Sequence, residues 1–275
     1  MVFSSIFGGG SNSPPQIRPM EQGDLGAVLR IIHQYDEDDF EEAREHLREN
    51  SEGMMVITKG GKVVGMTGAE PDPQGDSIAW LSWTYIDRQH AGQGLGRQMV
   101  DGLLQALRQE GFRKLFISTS DYKDEGEDIY AAARKFYEKI GAKLEVVIPD
   151  YHAPGENRYM YGLDLVPPPS RDQHPEGGCL RFSNIEEAPE SEGGLALTWD
   201  MVETQAPPAS VDSNLGPLVQ QARSRGARIL VAAVPSDLCA NIGEPLQTAG
   251  FQHHGRLLDY FEPNVHQELG VLRLK

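Results

Sequence analysis

The spacing of apolar and polar positions divides the first 165 residues into short strands and amphipathic helices. Apolar residues recur every three or four positions from about Asp24, from within 36–39, after Gly96 and over 130–139, which predicts four helices. Runs with strand composition are bounded by glycine, proline and charged residues. They predict strands at 16–18, 54–58, 62–67, 78–86, 114–118, 143–148 and 158–165.

The density of proline, glycine and charge over 167–178 predicts a linker. We therefore expect a flexible N-terminus at 1–15, a first domain at 16–166, this linker at 167–178, and a second domain at 179–275.

The second domain repeats part of the first. Residues 140–165 align without a gap on 249–274, and an upstream block aligns at a slightly larger offset, in the same order. This collinearity predicts a duplication whose second copy is shorter and lacks the opening strand, helix and helix. The matched residues are Gly141 with Gly250, Asp150 and Tyr151 with Asp259 and Tyr260, Pro154 with Pro263, Gly111 with Gly226, Arg113 with Arg228 and Leu115 with Leu230.

Composition limits the class of partner. The 275 residues have a formal net charge of −16, and such a chain is repelled by nucleic acid and by anionic lipid. We expect neither as a partner, whereas a cationic small molecule or a basic peptide is compatible with this charge. Two cysteines are too few for a disulfide framework, and no HExxH or CxxC motif predicts a metal.

The sequence also predicts a cytoplasmic location. No apolar run approaches the roughly 18 residues of a membrane-spanning helix. The first 15 residues have neither a basic segment nor an apolar core, so they do not predict a secretory signal.

The segment 86–97 contains the clearest chemical motif. Gly92, Gly94 and Gly96 stand between a predicted strand and a predicted helix, where backbone N–H groups and the helix dipole can bind a pyrophosphate. A dinucleotide fingerprint would need a glycine at Arg97 or Met99, and a P-loop would need Gly-Lys-Ser/Thr. Neither motif is complete.

This segment resembles the acetyl-CoA motif of the GNAT superfamily of N-acetyltransferases. That family often has Val-x-Pro-x-Tyr-Arg-Gly-x-Gly-Ile-Gly, and this chain has Ile-Asp-Arg-Gln-His-Ala-Gly-Gln-Gly-Leu-Gly at 86–96. A second GNAT motif, Asn-x-x-Ala-x-x-Phe-Tyr-x-Lys-x-Gly-Phe, is matched by 130–142. Two departures are Ala91 in place of Gln or Arg, with Gln89 offering a shifted frame, and Tyr130 in place of Asn.

The resemblance covers roughly 16–165 and implies a mixed, mostly antiparallel sheet flanked by helices. It also implies direct attack of a primary amine, from a small molecule or a peptide, on acetyl-CoA as co-substrate, without a metal. The Ile86 backbone N–H would stabilise the carbonyl oxygen, and Tyr137 would protonate the leaving thiolate. The implied cofactor-binding residues are Ile86, Gly92, Gln93, Gly94, Leu95, Gly96 and Arg97.

Several points stay open. Trp80 stands where some relatives have a glutamate base, which leaves His33, Glu70, Asp121 or a water chain for this role. The six acids in 36–42 either attract a cationic amine or form a solvated helix face. A non-catalytic CoA-binding or interaction protein is the alternative function. A longer acyl donor and a homodimer are also open.

We predict no chemistry in the second copy. Pro207 and Pro208 stand at the positions of Gly92 and Gln93, and proline has no N–H for a phosphate. Leu246 replaces Tyr137. The Asp-Tyr-x-x-Pro element occurs in both copies, so we interpret it as structural.

Overall fold

A computed structural model describes residues 14–167, 179–202, 214–238 and 242–274, except for the side chain of Asp38. Most of the predicted linker, the equivalent of the glycine loop at 203–213, and Cys239 lie outside these ranges. Within them, contacts divide the chain into two compact units. The first comprises residues up to Pro71 and Ala79–Arg113, and the second comprises Asp72–Ile78 and the chain from Lys114.

The first unit is a small antiparallel sheet with helices on both faces. Its strands are β1 (Gln16–Pro19), β2 (Met54–Lys59), β3 (Lys62–Pro71), β4 (Ile78–Leu81) and β5 (Tyr85–Ile86), in the order β1-β2-β3-β4, with β5 also paired to β3. Its helices are α1 (Leu25–Ile32), α2 (Glu37–Glu49) and α3 (Leu95–Gln109).

Two apolar clusters fix these helices on the sheet. The α1 and α2 cluster contains Val28, Ile32 and Leu47 against Met66 of β3, all fully buried. The α3 cluster places Leu95 and Met99 against Ile57 and Val64, beside Ile86. Helices on both faces of this sheet agree with the predicted fold class.

The predicted strand 78–86 is interrupted. Ser82, Trp83 and Thr84 are not in a strand, and this break separates β4 from β5. The break keeps its polar groups bonded, because Ser82 N donates to Gly68 O at 2.9 Å and the hydroxyls of Thr67 and Thr84 lie 2.8 Å apart. Side chains on both sides of the break belong to the site described below.

The second unit is a mixed sheet of eight strands in the order β6-β10-β9-β14-β15-β13-β12-β11. Only β12 and β13 pair in parallel; the other described neighbours are antiparallel. The strands are β6 (Lys114–Ser120), β9 (Lys143–Ala153), β10 (Glu156–Asp164), β11 (Cys179–Glu187), β12 (Gly194–Val202), β13 (Ile229–Pro235), β14 (Gln252–Glu262) and β15 (Val265–Arg273). A separate hairpin joins β7 (Lys123–Asp124) and β8 (Glu127–Asp128), and the helices are α4 (Ala131–Lys139), α5 (Leu215–Ser224) and α6 (Gly243–Thr248).

The strand registers of this unit reproduce the offsets in the sequence repeat. In the β6–β10 pair Lys114 lies opposite Asp164, and in the β13–β15 pair Ile229 lies opposite Arg273. The residue numbers therefore differ by 115 on one strand and by 109 on the other, as in the sequence alignment. The bulge of β9 at Leu144–Val146 likewise recurs in β14 at His253–Gly255.

The Asp-Tyr-x-x-Pro element makes equivalent hydrogen bonds in both repeats. Asp150 accepts from Gly155 N at 2.8 Å, and Asp259 accepts from Asn264 N at 2.9 Å. Both aspartates have positive φ, 53° and 56°. Because the bonds close a tight turn between paired strands, the structure supports the structural interpretation of this element.

The two repeats meet where β9 pairs with β14, with Val146 opposite Gly255. A buried ion pair spans this junction: Lys114 Nζ donates to Glu145 Oε1 and to Leu258 O, each at 2.7 Å. Leu258 N donates to Glu145 Oε2 at 2.8 Å. The contact division thus falls after Arg113, whereas we placed the domain boundary in the linker at 167–178, which stays a prediction.

Candidate active site

The glycine loop adopts a conformation that requires glycine. It follows β5 through a short helical turn at Arg88–His90, and Gly92 and Gly94 then have φ of 73° and 78°. Side chains other than glycine rarely adopt such angles. A Cβ at Gly92 or Gly94 would meet no heavy atom within 4 Å, so the space in front of both residues is open.

The first turn of α3 presents free backbone donors beside this space. Gly94 is the N-cap and has no side chain to cap the helix, and the first intrahelical bond runs from Gln98 N to Gly94 O at 3.1 Å. The N–H groups of Leu95, Gly96 and Arg97 precede this bond and have no intrahelical acceptor. These donors and the helix dipole fit a pyrophosphate.

Two cations lie at this loop. Lys59 Nζ donates to Gln93 Oε1 at 2.7 Å, and Arg97 Nε donates to both oxygens of Asp101 at 2.9 and 2.8 Å. Arg97 and Gln93 were predicted, but Lys59 was missed because β2 is remote in sequence and a lone lysine there gives no signal. Together these side chains place positive charge near the helix terminus within a protein of net charge −16.

The pairing of β5 determines where the Ile86 amide points. Ile86 lies opposite Gly65, and Asp87 N donates to Val64 O at 2.9 Å. Bonded and non-bonded pairs alternate in an antiparallel ladder, so Ile86 occupies a non-bonded position, with its N–H and C=O on the side away from β3. This orientation fits the role predicted for that N–H. Ile86 also lies beside the loop, since a Cβ on Gly96 would be 3.7 Å from Ile86 Cγ1.

The corner between α1 and α2 is bonded to the same segment. Tyr35 donates its hydroxyl to Ile86 O at 2.7 Å, and Gln34 Oε1 accepts from Arg88 N at 2.9 Å. The Arg88 guanidinium lies 4.8 Å from the centre of the Tyr35 ring. Burial raises the pKa of Tyr35, and the neighbouring Arg88 opposes that rise. Sequence reasoning missed Tyr35, because its partner is 51 residues away.

Several acids of 36–42 have structural partners. Asp36 caps α2 by accepting from Asp39 N at 2.9 Å, Asp39 accepts from the Tyr85 hydroxyl, and Glu41 pairs with Arg44. These contacts favour the structural reading of the acidic window over attraction of a cationic amine.

Tyr137 belongs to the second unit, whereas Ile86 and the glycine loop belong to the first. Its ring lies on α4, 6.0 Å from that of Tyr161 between centroids. Burial and the neighbouring Tyr161 raise the pKa of Tyr137 to about 12. The hydroxyl is therefore protonated at neutral pH, and no hydrogen bond to it is found within the described residues, so it is available as a donor.

Arg134, one turn before Tyr137 on α4, was not predicted. It donates to Ser120 O at 2.5 Å and pairs with Asp128, while its guanidinium lies 4.8 Å from the Tyr159 ring centre. Because α4 is thereby bonded to the end of β6, the orientation of the helix that bears Tyr137 is fixed.

Two further searches covered the described ranges only. They contain no group of three or more His, Cys, Asp or Glu side chains placed to hold a metal ion. Within the same ranges, no helix has the length and apolar character needed to cross a membrane. Cys179 is a free, buried thiol.

Comparison with known proteins agrees with this geometry. Residues 19–142 match the model of the acetyltransferase (GNAT) family. The Xenopus laevis protein camello, classed with the N-acetyltransferases, is 30% identical over 86 residues, which cover 31% of this chain and 36% of that protein. The chain thus spans about a third of the length of the curated relatives that it matches.

Solved structures show the same fold. A protein of Desulfovibrio desulfuricans, assigned to the GNAT acetyltransferases, matches with a TM-score of 0.51 and 23% identity, over 56% of this chain and all of that one. The yncA protein of Salmonella typhimurium, assigned as an acetyltransferase and solved with its cofactor acetyl-CoA, matches with a TM-score of 0.45 and 18% identity, over 57% of this chain and 98% of that one.

The fold is therefore the GNAT fold, which confirms the predicted mixed, mostly antiparallel sheet flanked by helices. Residues 19–142 form a GNAT-family acetyltransferase domain, a domain of the acyltransferase class.

Proposed function

We propose that this protein transfers an acetyl group from acetyl-CoA to a primary amine of a small molecule or peptide. The observation that supports this most directly is the glycine loop: Gly92 and Gly94 are in the left-handed conformation beside open space, before an uncapped helix terminus. A tight turn that served packing alone would not need that space in front of the free N–H groups.

The pyrophosphate of the donor would be held by the N–H groups of Leu95, Gly96 and Arg97, with Gly92, Gln93 and Gly94 forming the approach. Bound acetyl-CoA would supply an activated thioester. The Ile86 N–H, which points away from β3, would donate to the thioester carbonyl oxygen as negative charge develops there. Lys59 adds a positive charge near the phosphates through its contact with Gln93.

The reaction would proceed by direct attack. The amine nitrogen bonds to the carbonyl carbon, the carbon–sulfur bond breaks, and the departing thiolate takes a proton. Tyr137 is the proposed proton donor, supported by its raised pKa and its available hydroxyl. The amine must also lose a proton, and the group that accepts it is considered below.

We further propose that 179–275 is a degenerate GNAT-like copy that performs no acetyl transfer. Its order of elements supports this: β12, α5, β13, α6, β14 and β15 follow one another as do β4, α3, β6, α4, β9 and β10. The matching registers support it as well. Its α6 has Leu246 where α4 has Tyr137, and a leucine cannot donate a proton.

Calorimetric titration and thiol release test these proposals together. We expect one acetyl-CoA bound per chain, and release of CoA thiol that depends on an added primary amine from a panel of polyamines, amino sugars and peptides. Two bound acetyl-CoA molecules would contradict the degenerate second copy. Binding with no turnover on any amine, and no effect of Tyr137→Phe, would instead favour a non-catalytic CoA-binding protein.

A further inference from the structure

Two of the three residues suggested by the sequence as a general base have other roles. His33 Nε2 pairs with Glu37 at 2.8 Å across one helical turn, where both side chains are exposed. Asp121 is occupied on both oxygens, accepting from Asn157 N at 2.7 Å and from Asn157 Nδ2 at 2.6 Å.

The repeat shows what the Asp121 contact does. At the equivalent position of the second repeat, Ser236 Oγ accepts from His266 N at 2.9 Å. A serine thus makes the same backbone contact in a copy that lacks the tyrosine donor. Asp121 therefore serves strand geometry.

Glu70, the third candidate, belongs to a cluster built from three elements of the first unit. It lies on β3 directly opposite Trp80 of β4. Its Oε1 accepts from Ser82 Oγ at 3.2 Å and lies 3.6 Å from Nε2 of His46, on α2. The side chains of His46 and Glu70 are 35% and 47% exposed, so an amine can reach both.

The neighbours of this cluster hold the imidazole in place. The His46 ring meets Trp83 edge-on, with 5.3 Å between ring centroids, and Trp83 packs on the α1 and α2 cluster. Glu70 faces the same helices, because Met66 lies four residues earlier in β3 and packs into that cluster. Both the carboxylate and the imidazole are therefore oriented by contacts outside the pair.

The cluster also lies close to the proposed reaction site. Trp83 precedes Ile86 by three residues in a nearly extended segment, which spans at most about 10 Å. Tyr85, between them, pairs with Met66 of β3. The imidazole that packs on Trp83 is thus within reach, through an amine or one water, of the carbon beside the Ile86 amide.

We propose that His46 is the general base that accepts the proton of the attacking amine, with Glu70 and Ser82 as positioning residues. This inference rests on the proposed acetyl transfer. Histidine exchanges protons most readily near neutral pH, and a carboxylate beside Nε2 fixes the tautomer whose Nδ1 is the free base. As the carbon–nitrogen bond forms and the carbon–sulfur bond breaks, the amine proton passes to Nδ1, and Glu70 stabilises the resulting imidazolium.

The test compares His46→Ala and Glu70→Gln with His33→Asn and Glu37→Gln, the exposed pair on α1 and α2, as matched controls. We expect His46→Ala to lower kcat about 100-fold, with unchanged acetyl-CoA affinity, since general bases contribute at least this factor. Added imidazole should restore part of the rate, which it would not do for a merely structural histidine. Glu70→Gln should lower kcat about ten-fold, because the imidazole remains but loses its orienting charge.

Wild-type turnover with His46→Ala at the rate of His33→Asn would overturn this assignment and leave acetyl transfer standing. A loss in His46→Ala without imidazole rescue, together with normal kcat in Glu70→Gln, would also overturn it. Absence of wild-type turnover with every amine would overturn both the assignment and the proposed function. Thermal unfolding of each variant separates loss of the base from loss of the fold.

Discussion

The Tyr35 hydroxyl donates a 2.7 Å hydrogen bond to the carbonyl oxygen of Ile86, the residue whose N–H is proposed to stabilise the developing oxyanion. The N–H and C=O of a strand residue lie on the same side of the strand, so Tyr35 bonds at the edge where that N–H is presented. The corner between α1 and α2 therefore fixes the strand end that the reaction would use.

We predict that Tyr35→Phe lowers kcat about ten-fold or less, because one net hydrogen bond contributes about 1 kcal/mol. The acetyl-CoA dissociation constant should stay unchanged, since the glycine loop is intact. Tyr122→Phe is the matched control, as both tyrosines are exposed, at 41% and 46%. Equal rates in the two variants would remove Tyr35 from the machinery.

Gly94→Ala should weaken acetyl-CoA binding beyond its effect on stability. The left-handed conformation costs an alanine about 1–2 kcal/mol, and the new methyl group would enter the space proposed for the phosphates. Gly61→Ala is a control of the same strain, because its φ is 77° and its Cβ also meets nothing within 4 Å. Both variants should unfold at similarly lowered temperatures, but only Gly94→Ala should lose affinity in calorimetric titration.

Tyr137→Phe should lower kcat about 100-fold or more without changing acetyl-CoA affinity, because it removes a general acid. The raised pKa of Tyr137, about 12, keeps the phenol protonated across the usual assay range. The wild type should accordingly show no loss of activity from this group as pH rises to about 10. An alkaline loss near pH 8 that disappears in Tyr137→Phe would contradict the raised pKa.

Asp121→Ser should fold and keep most of the activity, because serine makes the equivalent backbone contact at position 236. Asp121→Ala removes the acceptor for Asn157 N and should lower the unfolding free energy by about 1–3 kcal/mol. Thermal unfolding and kcat, measured on both variants, check this. A large loss of kcat in a normally stable Asp121→Ser would return Asp121 to the list of bases.

Asp24→Asn should change the acid stability of the first unit. Hydrogen bonds from Arg18, at 2.6 and 2.8 Å, lower the pKa of Asp24, despite opposing desolvation. Since the folded pKa lies below the unfolded value of about 3.9, this stabilisation is complete above that value and is lost as pH falls through the folded pKa. The variant should unfold more easily at pH 7 by about 2 kcal/mol and lose less than the wild type on acidification. Asp124→Asn, on the exposed β7–β8 hairpin, should match the wild type in both respects.

The sequence predicted the local parts of the candidate site. Glycines at 92 and 94, followed by apolar residues at helical spacing, specified both the loop and the helix, because backbone conformation and helix amphipathicity are properties of a short segment. The repeat was also detectable, and its two offsets reappear as strand registers in the second unit.

The sequence did not predict the break at Ser82–Thr84, which satisfies its polar groups through Gly68 and Thr67 on β3. The apolar run alone favoured one continuous strand. Lys59 escaped notice for the same reason, as its partner Gln93 lies 34 residues away.

By itself the sequence determined the class of loop chemistry, the order of strands and helices, and the internal repeat, since each depends on residue type and spacing. Only the tertiary structure decided that Tyr35 bonds to Ile86 and that His46 meets Glu70. These contacts join residues on separate elements, and their distances follow from how helices pack on the sheet, which no local pattern encodes.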